Sequence, residues 1–414
     1  MSLNPSSLVF FDPPARRESL KPLTLTRPIA ELRVGIDTIE DKWKRRLAHS
    51  SNSPTAFYLT EAYLQSKYPL AEGDGLLLNA AVCPDQHLAE AVASLAPQTV
   101  LQQNDVLIAA YLPAKALSEC TNFLQKENYA DLMRIIRQQT HSYAVQHYEQ
   151  PITMIRHLWD IFEQNGEQIA ADYQVITQQR TSQPIDDPFT RIYHPEKVFV
   201  EEGVTIKAAI INAEAGPVYL GKNATIHENA VIQGPFAMLE GAHVNVGAKI
   251  REATTIGPRC KVGGEVKNTV FWGNSNKGHE GFVGNSVIGE WCNFGADTNV
   301  SNLKNNYQPV KLYDYATQDL VDTGATFCGL IMGDHSKCGI NTMFNTGTVV
   351  GVFANIFGSG YPPKFIPSFT WGTEGAYRLD KALEVHERVL ARRDLLPSSA
   401  EIDILHYIYQ QRPE

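Results

Sequence analysis

Residues 220–266 read LGKNATIHENAVIQGPFAMLEGAHVNVGAKIREATTIGPRCKVGGEV. Leu220, Ile226, Ile232, Met238, Val244, Ile250, Ile256 and Val262 follow one another at steps of six, and every one is apolar. Four residues after each stand Ala224, Ala230, Phe236, Ala242, Ala248, Thr254, Cys260 and Val266, most of them small. A helix repeats at 3.6 residues and a half-buried strand at two. A period of six is the mark of a β-helix, in which short strands stack coil on coil. One apolar residue per strand points inward, and the small residue beside it fits a tight corner. Three hexads complete a triangular coil.

The phase returns at Ile288, Phe294 and Val300, then at Met332, Cys338, Phe344, Val350 and Ile356, with Ser336, Thr342, Thr348 and Ala354 in the second column. Two stretches break it, 268–286 and 301–331. A regular coil is expected to extrude such insertions as loops, and loops on a rigid scaffold are where sites are usually built. The first break contains NKGHEGFVG, with His279 at a Gly-His step.

Residues 1–180 show no hexads. FYLTEAYL, GLLLNAAV and DVLIAAYL read as buried strands; ELRVGIDTIEDKWKRRL and PITMIRHLWDIFEQNGEQIAADYQVIT read as amphipathic helices. This alternation predicts an α/β domain with a partly parallel sheet. The polar, proline-bearing TSQPIDDPF at 181–189 reads as a linker. The expected divisions are an α/β domain over 1–185, a β-helix over 186–372 and a helical segment over 373–414. There LDKALEVHERVLARRD is a helix expected to cap the open end of the coil.

The 414 residues carry 36 Lys and Arg against 45 Asp and Glu, a net charge of −9, which argues against nucleic acid as a partner. No run of about 18 apolar residues suggests a membrane span, and the opening MSLNPSSLVFFDPP lacks the charged and apolar regions of a leader. Six scattered cysteines form no CxxC pair, which predicts free thiols, no metal site and a cytoplasmic setting.

An α/β domain, a hexad coil and a closing helix, in that order, resemble the bifunctional sugar-1-phosphate nucleotidyltransferase/acetyltransferases, in a divergent sugar-nucleotidyltransferase branch. The resemblance is strongest over 250–350. It implies a degenerate, Rossmann-like nucleotidyltransferase domain followed by a left-handed parallel β-helix. It also implies a homotrimer with sites between subunits, acetyl-CoA as co-substrate, and an amino-sugar-1-phosphate such as glucosamine-1-phosphate as acceptor. IREATTIG supplies Arg251, GGEVKNTVFW supplies Glu265 and Lys267, NKGHEGFVG supplies His279, NFGAD supplies Asn293 and Ala296, and VSNL supplies Asn302. By that resemblance His279 is the general base, since an imidazole titrates near neutral pH. The backbone N–H near Ala296 donates to the thioester oxyanion. Arg251 and Lys267 hold the phosphate, with Glu265, Phe282, Asn293 and Asn302 as further substrate contacts. The chain departs from the family at Phe282 for Tyr, Asp297 for Gly, Leu303 for Tyr and Ile340 for Ser.

The amino-terminal echo is LKPLTLTRP, residues 20–28. Pro13, Pro14 and Ala15 stand where the family keeps phosphate-cradling glycines, and proline removes an N–H donor. Ala80-Ala81 replaces a metal-binding Gly-Asp, so Mg²⁺ is implied only if that domain is active. Arg17, Lys21 and Arg27, beside Arg16, are the residues left there for a phosphate or nucleotide. Two other readings stay open: a sugar-1-phosphate nucleotidyltransferase using UTP or dTTP, and a non-catalytic sugar-nucleotide binder.

Overall fold

Four residues of the strand Ser7–Phe11 are fully buried, and this apolar strand lies inside the first sheet, second from its edge. The computed structural model describes residues 7–48, 54–70, 73–126, 129–372 and 375–412. The first six residues, part of the stretch read as lacking a leader, lie outside the described residues. By contacts the chain divides into one unit of Met1–Leu32 with Asp37–His157, and a second of Arg33–Ile36 with Leu158–Glu414.

In the first unit, Ser7–Phe11 pairs in parallel with Thr55–Leu59 and Gly75–Asn79. Val106–Leu112 runs antiparallel to Gly75–Asn79 and to Thr99–Gln103, and Ala144–His147 closes the sheet in parallel. The sheet is thus mixed, as the alternation of elements predicts. Val9, Phe11, Leu77 and Ala110 face Leu117, Leu124, Leu132 and Ile136 from two covering helices. FYLTEAYL is a strand only to Leu59; Ala62–Leu64 is a 3-10 turn. The helix expected over 31–47 begins only at Ile39, where Thr38 caps it by accepting from Asp41 N. Gly35, at φ +80°, ends any earlier helix, and its N–H and carbonyl bond to Asn165 and Thr255.

The second unit is a parallel β-solenoid of about ten turns followed by two helices. Its first face stacks Val218–Leu220, Phe236–Met238 and Thr254–Ile256. The second stacks Thr225–Ile226, His243–Val244 and Lys261–Val262, and the third Ile210–Asn212, Val231–Gln233 and Lys249–Ile250. From Val218 to Val262 partners on a face lie eighteen residues apart, three hexads, as the period requires; Ile210 and Val231, before that run, lie twenty-one apart. Both hexad columns are buried in one continuous core. At ~1.5–3 kcal/mol per buried aliphatic side chain, these columns hold the coil together.

The first break in the period is not an extruded loop. Glu265–Gly273 and Phe282–Glu290 are nine-residue strands that pair along their length, Val266 against Val283 and Phe271 against Ile288. Partners here lie seventeen residues apart. The coil loses a residue rather than bulging, which is why the phase slips. The second break is extruded in part, as an antiparallel hairpin of Lys311–Asp314 and Asp319–Asp322.

The contacts place the division at His157/Leu158, not at 185. Asn165–Thr177 packs Ile169 and Ile176 on Phe199, Tyr219 and Leu239 of the solenoid's outer surface. The closing helix Leu379–Ala391 is not a lid over the open end. Its His386 ring meets His335 and Phe353, while Arg393, just beyond it, donates to the Arg259 carbonyl several coils away. It is a strap along one corner. At that corner Trp291, His335, Phe353 and Phe369, all left-handed, stack as successive rungs. A second helix, Ser399–Gln410, carries a complete capping box at Ser398 and Glu401.

Candidate active site

A groove of about 820 Å³ runs along the second face, between the solenoid and the end of the strap. Its floor is one outward column: Lys261, Asn276, Asn293 and Lys337 are register partners on successive strands. Asn245 joins the floor, its amide donating to the Gly278 carbonyl at 2.8 Å. His279, Gly295 and Ala296 form one wall, Trp291 and Ile340 add apolar surface, and Val389, Arg392 and Arg393 close the other side. Burial pushes the Lys337 ammonium below its usual range; it donates to the His335 carbonyl and lies 5.6 Å from the Phe353 ring centre.

Three of the expected residues therefore share one site: His279, Asn293 and Ala296. His279 is exposed at the edge where the second face turns into the third. The N–H groups flanking Ala296 are spent, Gly295 on Cys338 at 3.0 Å and Asp297 on Glu280 at 3.2 Å. Among the described residues no backbone acceptor meets the Ala296 N–H, and Ala296 lines the groove. The Asp297 departure is conformational: φ is +56°, a region that glycine enters freely and Asp tolerates.

The other expected residues are elsewhere. Glu265 stands opposite Phe282, and Lys267 opposite Gly284, on the third face. Lys267 pairs with Glu252 at 3.0 Å, and Arg251 lies 3.8 Å from both Glu252 and Glu265. All four charges are partly exposed. A Cβ on Gly284 would fall 2.5 Å from the Phe282 ring, so the missing side chain makes room for that aromatic. Asn302 donates to the Asn285 side chain at 2.8 Å, a rung in an asparagine ladder.

The amino-terminal expectation for Arg17 is corrected. Its guanidinium is fully buried, and all five N–H donors are taken. Nε meets Glu61 at 2.9 Å, one terminal nitrogen meets Asp12 and the Arg27 carbonyl at 3.0 Å, and the other meets the Thr24 carbonyl and Tyr63. Nothing remains for a phosphate. Asp12 in turn accepts from Thr60 at 2.8 Å and Ile29 N at 3.0 Å. Lys21 pairs with Glu18 at 2.5 Å. Arg27 is buried and its charge acts on Glu31, whose carboxyl is raised to about 7 by burial and then by Glu40.

Arg392, Arg393 and Trp291 escape the motif reading. The basic pair in LARRD was a visible signal, but only the fold brings it opposite His279.

Comparison with known proteins agrees with this architecture. Residues 8–181 match the family described as sugar nucleotidyl transferase. The chain is 32% identical over 143 residues to the uncharacterized acetyltransferase YaiX of Escherichia coli O6:K15:H31 (strain 536 / UPEC), covering 34% of this chain and 61% of that one. It is 31% identical over 160 residues to the bifunctional sugar-1-phosphate nucleotidylyltransferase/acetyltransferase of Sulfurisphaera tokodaii, covering 38% and 37%. To the bifunctional protein GlmU of Methanocaldococcus jannaschii it is 36% identical over 146 residues, covering 30% and 35%. The match thus spans about three fifths of the first relative and little more than a third of the other two. Residues 8–181 are thus similar to the sugar nucleotidyl transferase family, and about a third of the chain is similar to part of the bifunctional sugar-1-phosphate nucleotidyltransferase/acetyltransferases.

Proposed function

We propose that the solenoid is an acetyl-CoA-dependent N-acetyltransferase acting on an amino-sugar-1-phosphate of the glucosamine-1-phosphate kind, in sugar-nucleotide biosynthesis. The observation that carries this reading is the position of His279 on the edge between two unlike surfaces. On one side lies the long groove with basic residues at its far rim. On the other lies the third face with Arg251 and Lys267. Acetyl-CoA suits the groove: Arg392, Arg393 and Lys261 face its phosphates, the asparagine floor its amides, and Ile340 its apolar arm. The sugar phosphate suits the third face, where Arg251 and Lys267 exchange carboxylate partners for phosphate.

His279 takes a proton from the substrate amine, whose nitrogen then attacks the thioester carbon. The Ala296 N–H donates to the oxygen as charge builds on it. The attack forms the N–C bond, and collapse restores the carbonyl, breaks C–S and returns the proton from His279 to the leaving thiolate. A homotrimer, in which a second copy completes the third-face pocket, accounts for the gap between the two sets of residues on one chain. No helix among the described residues is long and apolar enough to cross a membrane.

The family match over 8–181 favours a second reading, a UTP- or dTTP-dependent nucleotidyltransferase. Against it, Ala80 and Ala81 offer Mg²⁺ no side-chain oxygen, and Pro13 and Pro14 offer phosphate no N–H. The residues there do not fit the metal. The third reading, a non-catalytic sugar-nucleotide binder, predicts binding without turnover. Mixing the protein with acetyl-CoA and glucosamine-1-phosphate, and following thiol release beside a His279→Ala control, separates them. Turnover lost in the variant supports acetyl transfer. Silence with both proteins, repeated with galactosamine-1-phosphate, sinks it.

A further inference from the structure

We propose that Lys277 is the positioning residue for His279: its ammonium, sealed inside the solenoid, holds the carbonyls of His279 and Glu280 and fixes the corner that presents the imidazole to the groove. This rests on the acetyltransferase reading of that site.

Lys277 occupies an inward position. It is the register partner of Val262, and Phe294, Cys338 and Ile356 fill the same column further along. It is 1% exposed, and a cation among apolar side chains is costly unless its donors are used. Its Nζ lies 2.5 Å from the His279 carbonyl and 3.0 Å from that of Glu280. The shortened coil explains why those carbonyls need a donor. Val262 and Lys277 are partners only fifteen residues apart, so the corner turns its backbone inward. Gly264, at φ +68°, leaves the room: a Cβ there would meet the Gly281 and His279 carbonyls at 2.7 and 2.9 Å and Nζ at 3.0 Å. Burial lowers the ammonium to about 8, against the opposing pull of Glu280, Asp297 and the Cys338 thiol around it. One of the two bonds ends on the backbone of the residue whose ring must face the amine, and the other on the residue after it. A 1 Å misplacement of such a group costs up to about 10²-fold in rate.

The test compares Lys277→Met, which keeps the shape and removes the donors, with Lys277→Arg, which keeps donors. Two quantities are read on the full chain. One is kcat and KM for acetyl-CoA with glucosamine-1-phosphate. The other is hydrogen exchange at the amides of Glu265 and Asp297, which are bonded to the carbonyls of Gly281 and Glu280. The Met variant is expected to lose about 10²-fold in kcat at unchanged KM, to exchange faster at both amides, and to be partly rescued by Arg. Wild-type kcat in the Met variant overturns the proposal, whatever exchange does; so does a lower kcat with wild-type exchange. If the wild-type protein acetylates no amino sugar, the acetyltransferase reading falls by itself. Exchange then decides Lys277, a wild-type rate overturning it. Should the Met variant not fold, Lys277→Gln, with two N–H donors on a shorter arm, replaces it in both measurements.

Discussion

Arg17 and Arg392 carry the same guanidinium in opposite circumstances. In the short helix Pro14–Ser19 after the first strand, Arg17 is buried and every N–H already has an oxygen. At the end of the strap, Arg392 is exposed on the rim of an 820 Å³ groove. The first holds a loop together; the second is free to meet a ligand's charge. A basic residue near a motif says little until its donors are counted.

The largest effect that sharpens this contrast is on the groove side. His279→Ala should lower kcat by ~10²–10⁴-fold, the usual worth of a positioned base, with the fold intact because the side chain is exposed. A variant that keeps full turnover removes the base from the mechanism. On the other side, Arg17→Met should cost the amino-terminal unit ~3–5 kcal/mol in urea unfolding, because Asp12 is left buried without its ion pair. Unchanged unfolding, with weaker nucleotide binding instead, would return Arg17 to the ligand-binding residues.

Arg392→Ala should raise KM for acetyl-CoA by about 10-fold at low salt, and the difference should shrink at high salt as the charge is screened. A salt-independent effect would point to packing.

Lys277 gives a pH test of smaller size. Its folded value, near 8, lies below the ordinary 10.5. Between those values the unfolded chain binds the extra proton, so stability should rise with pH across that window. Urea titrations at pH 8 and pH 10 should show the rise in the wild-type protein and less of it in Lys277→Met. Least of all, Lys21→Ala should change stability by no more than ~0.5 kcal/mol, since its pair with Glu18 is near the surface. A larger loss would mean that this part of the loop is as tightly bound in as Arg17.

The solenoid was legible because one residue in six must fill a narrow lumen, and Leu220 through Val262 do so without exception. The shortened coils were not. Val266–Val283 and Phe271–Ile288 keep the inward pattern at a spacing of seventeen, which reads as a broken period when the template is eighteen. His279, Asn293 and Ala296 were found through motif order, and the fold brings them into one groove. Arg251, Lys267 and Asn302 follow the same motif order but lie on other surfaces of the single chain, a separation that spacing alone does not reveal. Lys277 was passed over because a lysine in an apolar column looks like a gap in the pattern. Its meaning lies in two carbonyls that only the corner places beside it. The helix predicted from Glu31 failed at Gly35 because tertiary bonds to Asn165 and Thr255 outweigh local periodicity.

The coils between Val218 and Val262 all have the same length, which bears on how such a chain can grow. A tandem duplication of one eighteen-residue unit there would extend the stack by one strand spacing, ~4.8 Å, and leave every column in line. The same duplication between Val262 and Phe294 would copy a unit of the wrong length and pull the corner away from its lysine. Length is thus open to inheritance in whole steps where the coils are eighteen residues long, and closed to it around Lys277.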